Sequence, residues 1–74
     1  MNDSTSNGID LLSKLTARER QILERTARGM TNAEVAKELA VTTHAVKFHL
    51  SHIYRKLGAA NRTDAAARYA KAVR

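Results

Sequence analysis

Residues 35–57 read VAKELAVTTHAVKFHLSHIYRKL, and this run decides the fold. Val35, Ala36, Leu39 and Val41 form a short apolar run on a helix that stops near Ala40. Thr42 follows as an N-cap, and a second, longer helix starts behind it. On that helix Val46, Leu50, Ile53 and Leu57 recur at i, i+4, i+7 and i+11, which puts them on one face. At about 100° per residue, His44, Lys47, Phe48, Ser51 and Arg55 fall on the opposite side. From Leu39 to Thr63 there is no Asp or Glu, yet the stretch holds Lys47, Arg55, Lys56, Arg62 and all three histidines. A helix, a tight turn and a second helix with an acid-free outer face is what the major groove of duplex DNA accepts. The expected fold class is all-α, with a helix-turn-helix at its centre.

Outward from this run, both flanks read as helices. On the N-terminal side, Thr16-Ala17-Arg18-Glu19 is a capping box that opens helix one, and Ile22, Leu23 and Ala27 supply its core stripe. Gly29 ends it in a left-handed conformation. Arg18, Arg20, Arg25 and Arg28, alternating with Glu19 and Glu24, read as a solvated face or a weaker phosphate surface. A second capping box, Thr31-Asn32-Ala33-Glu34, opens helix two. Its end at Ala40 either takes a left-handed conformation, which costs a non-glycine residue about 1–2 kcal/mol, or uses a slightly different turn. Gly58 stops helix three, and Asn61-Arg62-Thr63-Asp64 opens helix four. There Ala65, Ala66, Tyr69, Ala70 and Val73 form a small-residue stripe that packs on the domain's own core, lets two helices approach closely, or does both.

Residues 1–14 are expected to be a polar lead or linker remnant, and residues 15–74 the domain. Met1 to Gly8 is polar and without periodicity, whereas Ile9, Leu11, Leu12 and Leu15 form an apolar cluster expected to fold back over the core. At 74 residues the chain is one small domain, and such a chain buries only about 60% of its unfolded surface. It has no cysteine, which removes disulfides and thiolate metal sites. A formal charge of +6 fits a chain that meets a polyanion, or simply a soluble basic surface. No apolar run approaches a membrane span, and the expected location is the cytoplasm, on the nucleoid.

Taken together, the motifs resemble a known family. Leu15 to Glu19, Gly29 to Ala36, Val46 to Leu50, Ile53 to Gly58 and Asn61 to Ala65 are similar, in order and spacing, to the LuxR/GerE-type (NarL/FixJ-like) helix-turn-helix domain of bacterial transcriptional regulators. The resemblance covers about Leu15 to Ala72. It implies a four-helix domain that binds double-stranded DNA as a homodimer, at least on DNA, at an inverted repeat. RNA polymerase is a further candidate partner. By position, Lys47, Phe48 and Ser51 face base edges, joined by His44 from the outer face. Asn32, His49, Lys56 and Arg62 sit near the DNA backbone or the helix interface, and Thr43 and Arg55 complete the backbone set. Ala65, Ala66, Tyr69, Ala70 and Val73 belong to the family's dimer helix.

Three residues depart from the family pattern. Ala45 stands where threonine is usual, Thr26 where leucine is usual, and Phe48 is bulky for a base-facing position. Phe48 either touches a thymine methyl or packs on its neighbours. Plainer readings accompany the other candidates. Lys47 and Ser51 could be ordinary surface residues, and His49 a satisfied, half-buried histidine. His49 and His52 have metal-binding spacing, but no third ligand shares their face, and no metal or cofactor is expected. A sigma region-four-like promoter reader and a protein-interaction module are the rival functions. No Ser/His/Asp set, phosphate loop or acid pair suggests an enzyme.

Overall fold

The structure, a computed structural model, describes residues 11–73. The expectations for Met1 to Gly8, and for Ile9, lie outside them. Among the described residues four helices follow one another: α1 (Ala17–Ala27), α2 (Asn32–Leu39), α3 (Thr43–Leu57) and α4 (Arg62–Val73). Residues 11–13 are helical too and turn into Leu15. Leu11 rests against the core, and the Arg20 Nε donates to the Leu12 carbonyl at 3.1 Å. Leu11 thus folds back on the core, as expected of the apolar cluster it belongs to.

Each helix starts where a side chain satisfies its free N–H groups. Thr16 Oγ1 accepts from the Glu19 N–H at 3.1 Å, and Glu19 Oε1 accepts from the Thr16 N–H at 2.9 Å. Thr31 and Glu34 repeat the arrangement at 3.1 and 2.8 Å. At α3 Thr42 Oγ1 accepts from the Ala45 N–H at 2.9 Å, and no carboxylate returns the bond. At α4 Asn61 Oδ1 accepts from the Asp64 N–H at 2.9 Å. Such a cap stabilises a helix by about 1 kcal/mol.

The helices end alike. Met30 donates to the Arg25 carbonyl at 3.2 Å, Val41 to Ala36 at 2.9 Å and Ala59 to Tyr54 at 2.8 Å, each closing a six-residue ring. The residue before each is left-handed: Gly29 with φ 94°, Ala40 with φ 58° and Gly58 with φ 67°. Ala40 thus adopts the left-handed conformation, and the turn between α2 and α3 stays short.

Leu15, Ile22, Leu23, Val35, Ala36, Val46, Leu50, Ile53, Leu57 and Ala65 form one core to which all four helices contribute. The burial of Ala36 lets α2 and α3 cross closely. Three residues here bear on the sequence reading. Glu19, read as part of a solvated face, is only 5% exposed. Thr26, which stands where leucine is usual, is buried, and its Oγ1 has no hydrogen-bond partner among the described residues. Ala65, counted in the dimer stripe, is fully buried in this domain's own core, because the first turn of α4 faces inward. It has no surface to offer a second copy.

Candidate nucleic-acid interface

The packing of α3 creates the candidate surface. Val46, Leu50, Ile53 and Leu57 are buried against the other helices, so the same 15-residue helix must turn its remaining side outward. Thr43, His44, Lys47, Phe48, Ser51 and Arg55 are all exposed there. Lys47 and Arg55 lie on this side without an acidic partner among the described residues. Their charge is therefore offered to solvent.

The polar and aromatic groups between them are ordered locally. Ser51 Oγ donates back to the Phe48 carbonyl at 2.8 Å. The Phe48 ring is 58% exposed and leans on His52, with centroids 4.6 Å apart. His49, half-buried, meets the same ring edge-on at 6.0 Å. No three His, Asp or Glu side chains gather for a metal ion among the described residues.

Three residues read for the DNA backbone or the helix interface make contacts between elements of the fold. Lys56 Nζ donates to Glu19 Oε1 at 2.7 Å, tying α3 to α1. Arg62 Nη1 donates to Asn32 Oδ1 at 2.7 Å, and its Nη2 donates to the Met30 carbonyl. The first residue of α4 therefore clamps the turn that leads into α2. Sequence reading left these positions open between backbone and interface. The one local hint was Arg62, a cation at a helix start, where the macrodipole disfavours it. Burial pushes the Glu19 carboxyl up, but the Lys56 ammonium, the Thr16 N–H and charge from His49 outweigh it and hold the group below its ordinary value. Glu19 is thus a buried anion whose whole shell is positive or donating, and local periodicity missed it.

The α4 stripe divides. Ala65 is core, Tyr69 packs partly against that core, and Ala66 is half-buried. Ala70 and Val73 are exposed, Val73 by 49%. Asp64 accepts from the Ala60 N–H at 2.8 Å and pairs with Arg68 at 3.0 Å, contacts that hold its carboxyl below the ordinary range. No helix among the described residues is long and apolar enough to cross a membrane.

Comparison with known proteins adds to this geometry. Residues 13–69 match the family described as bacterial regulatory proteins, luxR family. The chain is 45% identical over 58 residues to the "Probable transcriptional regulatory protein SgaR" of Hyphomicrobium methylovorum, covering 78% of this chain and 28% of that protein. It is 48% identical over 56 residues to the HTH-type quorum sensing-dependent transcriptional regulator RpaR of Rhodopseudomonas palustris (strain ATCC BAA-98 / CGA009), covering 76% of this chain and 23% of that protein. The chain therefore spans about a quarter of the length of these relatives.

Proposed function

The chain belongs to the luxR family of bacterial regulatory proteins, and on that premise we propose that it regulates transcription by binding double-stranded DNA sequence-specifically, with α3 in the major groove. The observation that carries this is the outer face of α3, where Lys47 and Arg55 stand exposed and free of acids opposite a fully buried stripe. His44, Lys47, Phe48 and Ser51 address base edges in this reading. Thr43, Arg55 and His49 address phosphates. Asn32, Lys56 and Arg62 fix α1, α2 and α4 around α3 and present their remaining N–H groups to the DNA backbone. The location that follows is the cytoplasm, on the nucleoid, with RNA polymerase met through surfaces that α3 and α4 leave free.

We further propose a homodimer through the exposed part of α4, namely Ala66, Tyr69, Ala70 and Val73. Two domains joined there would place their third helices in successive major grooves, on an inverted repeat with half-site centres about 10 bp apart. Footprinting on duplexes enriched from a random pool tests this, together with Ala70→Glu. Two protected half-sites of opposite orientation are expected, with Ala70→Glu weakening the full site far more than one half-site. Direct repeats, or equal losses on both DNAs with an unchanged monomer–dimer equilibrium, would remove the dimer.

A further inference from the structure

The outer face of α3 carries one group that neither charge nor hydrogen bonding explains. Phe48 is 58% exposed, the more exposed of the two large apolar side chains left at the described surface. It shares the exposed side of α3 with Lys47 and Arg55, which have no acidic partner among the described residues, so a ligand laid on that side meets positive charge as well. Its ring does not fold down to join the core, because the core side of α3 is already filled by Val46 and Leu50. It rests instead on His52, at 4.6 Å between centroids, and meets His49 edge-on at 6.0 Å. These contacts hold an apolar surface in place before any ligand arrives. The hydroxyl beside it is drawn back, since Ser51 Oγ donates to the Phe48 carbonyl at 2.8 Å. What this part of the face presents is therefore apolar. In the major groove one base-edge group matches it: the C5-methyl of thymine.

We infer that Phe48 is a specificity-determining residue that selects thymine by its methyl group, the ring being positioned by His52. The inference rests on the proposed DNA-binding reading and adds to it the chemistry of one operator base. Lys47, one residue earlier, supplies a donor for an adjacent acceptor edge, and the apolar contact sets the register between them.

The test removes one methyl from the DNA and leaves base pairing unchanged. Duplexes are enriched from a random pool with the whole chain, and each thymine of the preferred duplex is replaced in turn by deoxyuridine. Replacement at one position per half-site should weaken wild-type binding about threefold to fivefold per half-site, the loss expected for one buried methyl. The same replacement should leave the binding of Phe48→Ala unchanged, the variant's helicity being checked by circular dichroism. A pool that yields no preferred duplex overturns the DNA-binding reading itself. A preferred duplex in which every thymine methyl is dispensable, or whose methyl effect survives in Phe48→Ala, overturns the role of Phe48 alone.

Discussion

Thr26 concentrates the cost of a single atom. Its side chain is 4% exposed, and its hydroxyl has no partner among the described residues. A buried polar group left unpaired costs about 1–3 kcal/mol, whereas the same volume of hydrocarbon would add to the core. Thr26→Val should therefore raise stability by about 1 kcal/mol and move the urea midpoint upward. An unchanged or lower midpoint would mean that the hydroxyl contributes to the fold. Ala40 illustrates what can be read from one residue. Two helical periods meet at it with no glycine between them, and of the two turns that this left open the structure takes the left-handed one. Glu19 shows the opposite case. Which way a charged residue in a first turn points depends on a partner 37 residues away, and no local window contains it.

At the scale of elements, the helix starts differ in one respect. α1, α2 and α4 have an acid in the first turn, Glu19, Glu34 and Asp64, whereas α3 has none and places Ala45 where a returning carboxylate would stand. An acid there would help the isolated helix and oppose phosphate, so the missing acid belongs with the DNA-facing reading. The caps, the helix bounds and the buried stripe of α3 were legible because each is set by residues within four positions of one another. The links between helices were not. Lys56 to Glu19 and Arg62 to Asn32 form only once the elements have packed. The first of these links carries a pH signature. The folded Glu19 carboxyl titrates below its ordinary value, so the unfolded chain binds its proton more readily. The stabilisation is complete above about pH 4.3, the ordinary glutamate value, and is lost as the pH falls through the lowered folded one. Glu19→Gln should cost about 1 kcal/mol at neutral pH and flatten the acid limb of the stability curve. Urea midpoints for both proteins between about pH 3 and pH 7 check this. Parallel acid limbs would place the proton uptake elsewhere.

The whole molecule joins a small core to a basic surface, of which the acid-free outer side of α3 is one part. Six net positive charges on 74 residues do not select a fold, but their placement selects a face. Within α3, burial of the apolar stripe and exposure of Lys47 and Arg55 are consequences of one helical period. That coupling is why the fold and the candidate surface were legible together, while the split of the α4 stripe between core and exterior had to wait for packing. The central claim, that the outer face of α3 meets DNA, is tested most directly by salt titration of duplex binding for the wild type and for folded Lys47→Ala. A cation brought into the groove releases counterions whether it meets a base edge or a phosphate, so Lys47 and Arg55 of both domains offset about four phosphate charges, and the log–log slope should be about −3.6. Lys47→Ala should remove about half of that slope, to about −1.8, and abolish preference for the enriched duplex. A wild-type slope near −1, or an equal slope and preference in the two proteins, would contradict the claim.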